Sequence, residues 1–350
     1  MRILIRTTNW IGDAIMALPT IRAIRAARSG PDDKIAILAR SYVADIYRDQ
    51  NVADELIVYD SHDKHSGFAG RERLAAELRA RRFDSAILLQ NAFDAAWLAW
   101  RAGIPERIGY ARDGRSLLLT NAVPVPKTGE IPSHEKFYYL ELLRRAGWID
   151  VIVDESFIQL RLPDASRQRA ADFLIASGAR PHATRVGIGA GAAYGSAKCW
   201  PPSRFAELAT QLQAQWDADV ILFGAAAETV VSAAIASEMS TPPINLTGKT
   251  AIADLPALLS QCQVFIGNDS GAMHVAAAAG LPTVGIFGPT DPFGTAPVTP
   301  RHTIVRQQPY CSPCLLRRCP IDHRCMTRIT TAQVEAAVEP WLTSQAVERV

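Results

Sequence analysis

Short apolar runs rich in β-branched residues alternate with segments of helical periodicity along the first 150 residues of the chain. This alternation predicts a parallel β-sheet with helices on both faces, because each strand is followed by a helix that crosses back to the next strand. The predicted strands lie at 2–7, 34–39, 55–60, 85–90 and 107–111, and the predicted helices at about 13–28, 71–81 and 135–146.

A second series of the same kind follows later in the chain. A loop at 124–134, rich in Pro and Gly, precedes the last helix of the first series, and a single helix between Pro163 and Pro181 separates the two series. The renewed alternation predicts a second doubly wound sheet, again of the α/β class. Its predicted strands lie at 185–192, 218–225, 244–249, 263–270 and 282–288, and its predicted helices at 203–216, 227–239, 253–261, 271–279 and 331–345.

The two series predict two Rossmann-like domains, an N-terminal one over 1–165 and a C-terminal one over 180–330. We expect the last helix, within 331–350, to pack back toward the N-terminal domain, because the second sheet is complete without it. Ligands of doubly wound sheets bind at the carboxyl ends of the strands. The two domains are therefore expected to face a cleft that holds the site.

Composition and charge indicate which broad class of protein this chain belongs to. The 350 residues are 48% hydrophobic, which is enough for two cores, and the formal net charge of +2 predicts no extended basic surface for nucleic acid. Polar residues interrupt the apolar opening, so we interpret it as a buried strand and not as a signal peptide. Since the apolar runs are much shorter than the roughly 20 residues of a membrane-spanning helix, we expect a cytoplasmic protein.

The stretch TTNWIGDAIMALP, at 7–19, leads from the first predicted strand through Gly12 and Asp13 into a helix. Asp is a common helix cap, because its carboxylate accepts bonds from the N–H groups of the first turn. The alternative is a general base, since the carboxyl end of this strand faces the expected cleft and a carboxylate there can take a proton from a hydroxyl. Gly12 would let a substrate approach the backbone closely.

The stretch GIGAGAAYGSAKCWP, at 187–201, is a glycine-rich exit from a strand and contains Lys198. The glycines are compatible with tight packing alone. They also allow backbone N–H groups to face an anion, to which Lys198 would add a positive charge. The spacing of a Walker A loop and the GxGxxG pattern are both absent from this stretch. Lys198 has no nearby acidic residue in the sequence, which favours an anionic ligand.

Glu228 follows the strand exit LFGAAAETV, at 222–230. One interpretation is an acidic residue in the first turn of a helix, where it interacts favourably with the helix dipole. The other is a carboxylate that binds the hydroxyls of a ribose, as acidic residues do beside many nucleotide sites.

The stretch FIGNDSGAMHVAAAAG, at 265–280, places Asp269, Ser270, Gly271 and His274 where a strand meets a helix. One capping residue would suffice for that helix, and a histidine one turn into it could be an ordinary interior residue. The combination instead favours an anion site at the helix N-terminus, where the free N–H groups and the helix dipole point toward the ligand.

Four cysteines lie close together in CSPCLLRRCPIDHRC: Cys311, Cys314, Cys319 and Cys325. Their spacing is close to that of a zinc knuckle, so four thiolates binding a structural zinc ion are one interpretation. Free or packed thiols are the other, and the leucines between the cysteines argue against knuckle-type binding of nucleic acid.

Taken together, these segments resemble the ADP-heptose:lipopolysaccharide heptosyltransferases of glycosyltransferase family nine, with the heptosyltransferase II branch as the nearest match. The resemblance covers nearly the whole chain, in the family's order. Its most specific motifs are NWIGDAIMALPTIRAI, GAAYGSAKCWP, NDSGAMHVAAAAGLPTVGIFGPTDP and CSPCLLRRCP.

The resemblance implies a GT-B fold, with the acceptor bound by the N-terminal domain and ADP-heptose by the C-terminal domain. It implies an inverting transfer, without a required cofactor, of the second heptose onto the first in the inner core of lipopolysaccharide. The enzyme would work at the cytoplasmic face of the inner membrane in peripheral contact with it. By motif, Asp13 is the implied general base, and Asn9 and His134 match the acceptor side. The implied donor-binding residues are Lys198 at the diphosphate, Glu228 at the ribose, and the group Asp269, Ser270, Gly271 and His274.

Two other functions compete with this one. Another GT-B sugar-nucleotide enzyme, such as an epimerase, or a nucleotide-dependent oxidoreductase would share the doubly wound halves, although the absence of GxGxxG and the order of the motifs disfavour both. A metal-binding or nucleic-acid-binding module would rest on the cysteine cluster alone, and the nearly balanced charge argues against it.

Overall fold

A computed structural model describes residues 1–347 of the chain and divides it into two units, Met1–Glu155 and Ser156–Val350. The boundary lies about ten residues before the predicted end of the N-terminal domain. The helix between Pro163 and Pro181, which the prediction left between the domains, belongs to the second unit and packs on the helix Leu255–Leu259.

The first unit is built on one six-stranded parallel sheet with the strand order β3-β2-β1-β4-β5-β6. Consecutive residues of its central strands are buried alike, and because neighbouring side chains of a strand point to opposite faces, both faces of the sheet are covered. Its elements are β1 Arg2–Arg6, α1 Ile11–Met16, α2 Leu18–Ala27, β2 Lys34–Ala39, α3 Ser41–Tyr47, β3 Glu55–Val58, α4 Gly67–Ala80, β4 Ser85–Leu88, α5 Phe93–Arg101, β5 Glu106–Tyr110, β6 Asn121–Val123 and α6 Glu135–Arg145.

The first unit departs from the prediction in four places. The single helix expected over 13–28 is two helices, α1 and α2, that meet at Ala17, because Pro19 lacks the N–H that an uninterrupted helix needs at that position. The helices α3 and α5 and the edge strand β6 were not predicted, since each is short, with seven, nine and three residues.

The second unit repeats the architecture of the first with the strand order β12-β11-β10-β7-β8-β9, all parallel. Two doubly wound parallel sheets confirm the predicted α/β class. Its elements are α7 Asp164–Ala176, β7 Arg185–Gly189, α8 Pro202–Trp216, β8 Asp219–Leu222, α9 Thr229–Glu238, β9 Ile244–Asn245, α10 Leu255–Leu259, β10 Val264–Asn268, α11 Gly271–Ala278, β11 Thr283–Phe287, α12 Pro292–Thr295, β12 His302–Arg306, α13 Arg324–Thr327 and α14 Thr331–Val347.

The last helix, α14, is part of the second unit. Val334, Val338 and Leu342 on one of its faces are buried in that unit's core, and the helix packs on α8 and β12. These contacts make the helix part of the second unit, where its apolar stripe covers strands of the second sheet. The expectation that it also packs back toward the N-terminal domain stays a prediction. Residues 348–350 of the predicted segment lie outside the described part of the chain.

Both sheets have the strand order of the dinucleotide-binding fold, in which the order reverses next to the first strand of the sheet. In the first unit the reversal lies between β1 and β4, and in the second between β7 and β10. Chain segments leave the carboxyl ends of these strands on diverging paths, which leaves a crevice for ligands. Among residues 1–347 no helix is long and apolar enough to cross a membrane.

The core of the second unit gives a test of its stability. Ile266 in β10 is completely buried, so Ile266→Ala leaves a cavity and should lower the free energy of unfolding by about 2–5 kcal/mol. Urea-induced unfolding followed by circular dichroism measures this loss. Val230→Ala, at a side chain that is 78% exposed, is the control and should stay within about 0.5 kcal/mol of the wild type. Equal effects of the two changes would contradict the placement of β10 in the core.

Candidate functional site

Asp13 lies in the first turn of α1, directly after the carboxyl end of β1. The N-cap position belongs to Trp10, whose side chain makes no capping bond, so Asp13 is inside the helix and not at its cap. Burial raises the pKa of the Tyr139 hydroxyl, and the nearby carboxylates of Asp13 and Glu135 raise it further. Asp13 therefore shares its surroundings with a second carboxylate, Glu135, whose own pKa burial raises.

The buried side chain of Arg6 fixes the loop before α1. This arginine is 3% exposed and donates from Nη2 to Asn9 Oδ1 at 2.8 Å and from Nη1 to the Thr7 carbonyl at 2.6 Å. Burial lowers the pKa of Arg6 to about 10, although Asp94 opposes that shift. Tyr42 Oη donates to the Asn9 carbonyl at 2.8 Å, so both the side chain and the backbone of Asn9 are fixed.

His134 is the N-cap of α6. Its Nδ1 accepts a hydrogen bond from the Lys136 amide at 3.2 Å, so that nitrogen carries no proton. The helix that it begins packs on α1 and α2. His134 thus has a structural role in the first unit, and its match to the acceptor side stays a prediction.

In the second unit, Lys198 and Asp269 form an ion pair with 2.5 Å between Nζ and Oδ2. The Lys198 side chain is 12% exposed and that of Asp269 is 4% exposed. The Thr290 hydroxyl donates to the same carboxylate oxygen at 2.7 Å. These three residues follow β7, β10 and β11, so the contact joins the exits of three adjacent strands. The absence of an acidic neighbour in sequence had suggested a ligand for Lys198, whereas the fold supplies Asp269.

Helix α11 starts beside this ion pair. Its N-cap is Ser270, whose side chain makes no capping bond, and Gly271 is its first residue. Asp269 binds Lys198 and Thr290 instead of capping the helix, so the cap interpretation of Asp269 is wrong. His274 is 4% exposed, one turn into the helix. The four residues predicted together do lie together, at a helix end whose N–H groups favour anions.

Glu228 lies at the exits of β7 and β8. One of its oxygens, Oε2, accepts a hydrogen bond from the Ala225 amide at 2.8 Å, which agrees with an acidic residue in the first turn of a helix. The other, Oε1, occupies the space beside Gly191, where an added Cβ would lie 1.8 Å away. Gly191 therefore serves the carboxylate, whereas Gly189 serves packing, since a Cβ there would lie 2.6 Å from the Phe265 ring. Tight packing is therefore confirmed at Gly189, and the interpretation of backbone N–H groups that face an anion stays a prediction.

Asn268 ties the exits of β7 and β10 together. Its side chain is completely buried and donates from Nδ2 to the Ala190 carbonyl at 2.6 Å. Its Oδ1 accepts from the Trp200 amide at 3.0 Å. The Trp200 indole donates to the Ile329 carbonyl at 3.0 Å, which fixes the chain on the other side of Lys198. The sequence motifs did not identify Asn268 and Thr290 as site residues, although both lie at strand exits, Asn268 in NDSG and Thr290 in GPTDP.

Of the four clustered cysteines, Cys314 is exposed, Cys311 and Cys319 are half-buried, and Cys325 is buried in the core of the second unit. Burial raises the pKa of Cys325 to about 11, with smaller contributions from Cys314, Cys319 and Cys311, which places the four thiols near one another. Within residues 1–347, however, no group of three or more His, Cys, Asp and Glu side chains is arranged to hold a metal ion. Zinc binding by these thiols stays a prediction.

Comparison with known proteins shows to which family the chain is similar. A protein-family model described as glycosyltransferase family 9 (heptosyltransferase) matches residues 71–324. The chain is 30% identical to lipopolysaccharide heptosyltransferase 2 of Salmonella typhimurium over 314 residues, 87% of this chain and 88% of that protein. It is 29% identical to lipopolysaccharide heptosyltransferase 2 of Escherichia coli, with the same two shares covered.

Solved structures match over almost the full length. That of ADP-heptose lipopolysaccharide heptosyltransferase II from Escherichia coli is 26% identical, with a TM-score of 0.82, over 99% of this chain and 100% of that chain. A family 9 glycosyl transferase from Veillonella parvula is 25% identical, with a TM-score of 0.86, over 98% of this chain and 97% of that chain. These matches confirm the predicted GT-B fold.

The bridge made by Asn268 can be tested by removing it. Asn268→Ala leaves the Trp200 amide and the Ala190 carbonyl buried without their partner, at about 1–3 kcal/mol for each group. Thermal and urea unfolding measure the loss. Gln168→Ala, at an exposed position of α7 in the same unit, is the control and should change the free energy of unfolding by less than about 0.5 kcal/mol. A change that small in Asn268→Ala would contradict the bridging role.

Proposed function

Because the chain belongs to glycosyltransferase family 9, the heptosyltransferase family, we propose that it transfers a heptose from ADP-heptose to the inner core of lipopolysaccharide. The observation that carries the proposal is the cation of Lys198 beside the N-terminus of α11, at the point where the strand order of a nucleotide-binding sheet reverses. An ADP-sugar presents the diphosphate and ribose that such a site recognises.

The donor side of the reaction uses the second unit. When the bond from the anomeric carbon to ADP breaks, the bonding electrons stay on the phosphate oxygen as negative charge. Lys198 and the N–H groups at the start of α11 stabilise that charge. Glu228 accepts hydrogen bonds from the ribose hydroxyls, and its fixed position beside Gly191 supports that role. In this proposal no cofactor is required.

The acceptor side uses the first unit. The acceptor hydroxyl attacks the anomeric carbon and Asp13 takes its proton, so one displacement forms the new glycosidic bond and inverts the configuration. The position of Asp13 after the carboxyl end of β1 supports this role, as does its location inside α1 and not at the cap. Asn9 lies in the same loop and binds a sugar hydroxyl of the acceptor; its contacts with Arg6 and Tyr42 support this role.

We further propose the specificity of heptosyltransferase II, in which the second heptose is added to the first. The relatives named heptosyltransferase 2 that match most of this chain support it. Such an acceptor is a membrane glycolipid, so the enzyme would act in the cytoplasm in peripheral contact with the inner membrane. Nucleic acid has no role in the proposal.

The direct test supplies ADP-heptose and lipopolysaccharide acceptors truncated to no heptose, one heptose or two. We expect ADP release and a mass increase of one heptose only with the acceptor that carries one heptose. Transfer to the heptose-free acceptor would overturn the specificity, and absence of transfer to all three would overturn the proposed activity.

Asp13→Ala tests the general base. Without the carboxylate the acceptor hydroxyl keeps its proton, so kcat should fall about 10²–10⁴-fold, while the affinity for ADP stays unchanged. Turnover assays and calorimetry measure the two quantities. Asp49→Ala, at an exposed aspartate of the same unit, is the control and should keep wild-type turnover. Wild-type turnover in Asp13→Ala would overturn the assignment.

Lys198→Ala tests the phosphate contact. A charge-assisted hydrogen bond contributes about 1.5–3 kcal/mol, so we expect roughly 10- to 100-fold weaker binding of ADP and a similar rise in KM for the donor. Calorimetry with ADP measures the first effect. Arg169→Ala removes an exposed positive charge of α7 in the same unit and is the matched control. Unchanged ADP affinity in Lys198→Ala would count against the phosphate role.

A further inference from the structure

The segment 311–325, which we call the cysteine segment, is bonded to the loop that carries Lys198. The Ala197 amide donates to the Arg317 carbonyl at 3.1 Å. Tyr194 Oη donates to the Leu315 carbonyl at 2.7 Å, and His323 Nε2 lies 2.7 Å from the Ala197 carbonyl, which can only accept. Two residues of the Lys198 loop are thus fixed by three residues of the cysteine segment.

The same segment is bonded to the loop after β11. The Leu315 amide donates to the Pro289 carbonyl at 2.8 Å, and the Ser312 hydroxyl donates to the Gly288 carbonyl at 2.6 Å. This loop continues into Thr290, which binds Asp269. The cysteine segment is therefore bonded both to the loop that carries Lys198 and to the loop that carries Thr290, beside the proposed diphosphate site.

The positive charge of Lys198 is already compensated. Its ammonium group is paired with Asp269 at 2.5 Å, so the pair as a whole is neutral. A diphosphate carries at least two negative charges, and in a site that excludes water these charges need cationic partners. Lys198 alone is thus insufficient for the charge that ADP brings.

Arg317 provides a second cation next to Lys198. Its Cζ lies 5.2 Å from the centre of the Tyr194 ring, and the Lys198 ammonium lies 4.8 Å from the centre of the same ring. Unlike Lys198, the Arg317 guanidinium has no carboxylate within ion-pair distance in the described part of the chain. Its side chain is exposed, so a ligand can reach it.

We propose that Arg317 binds the diphosphate of the donor together with Lys198 and that Tyr194 positions both cations. The planar guanidinium presents parallel N–H groups that match two phosphate oxygens, which the point charge of a lysine does not. The inference rests on the proposed function, because it assumes an ADP-sugar at this site, and it gives the cysteine segment a part in donor binding that is independent of any metal.

Arg317→Gln removes the charge and keeps the backbone carbonyl that binds Ala197, so the loops stay joined. We expect about 10- to 100-fold weaker binding of ADP by calorimetry and a rise in the donor KM without a rise in the acceptor KM. Binding of AMP, which lacks the second phosphate, should weaken less. Arg317→Lys should recover part of the affinity, because it restores the charge but not the paired N–H groups.

Arg318→Gln is the matched control, since Arg318 is the next residue, is also exposed and carries the same charge. It should bind ADP as the wild type does. Equal weakening by Arg317→Gln and Arg318→Gln, or wild-type affinity and donor KM in Arg317→Gln, would overturn the inference and leave the proposed function standing. A wild-type enzyme that neither binds ADP nor transfers heptose would instead refute the proposed function itself.

Discussion

The ion pair between Lys198 and Asp269 joins the ends of two neighbouring strands, and the donor half of the proposed site depends on it. The Asp269 carboxylate is almost completely buried, and a buried carboxylate is costly unless a cation and hydrogen bonds neutralise it. Lys198 supplies the cation and Thr290 a hydrogen bond. The pairing of β7, β10 and β11 as neighbouring strands brings their exits together, and the requirement to neutralise Asp269 then holds Lys198 and Thr290 against its carboxylate.

Packing beneath the ion pair sets how closely these exits can approach. The ring of Phe265 fills the space over Gly189 and Gly267, and a Cβ on either glycine would overlap it. Asn268, just after, uses both ends of its amide on backbone groups of the neighbouring loops. The Phe265 ring and the Asn268 amide therefore hold the strand exits that carry the site residues in fixed positions.

The local pattern of apolar and polar residues was sufficient to predict most strands, both sheets and the residues at the strand exits. Apolar periodicity and strand-to-helix junctions can be recognised within short stretches of sequence. It failed for α3 and α5, which are only seven and nine residues long, and at Pro19, where one expected helix became two. Thr290 and Arg317 were missed for another reason. Their partners, Asp269 and the Lys198 loop, are 21 or more residues away in the chain, so no local pattern records the contact.

By itself the sequence determined the α/β class, the doubled architecture, and which junctions carry Asp13, Lys198, Glu228 and the Asp269 group, since each of these follows from residues within one turn or one strand. Only the tertiary structure decided what these groups do to one another. It paired Lys198 with Asp269, moved α14 into the second unit and placed Arg317 beside Tyr194. The physical reason is that charge compensation and burial depend on distances in space, which strand order sets and local sequence does not.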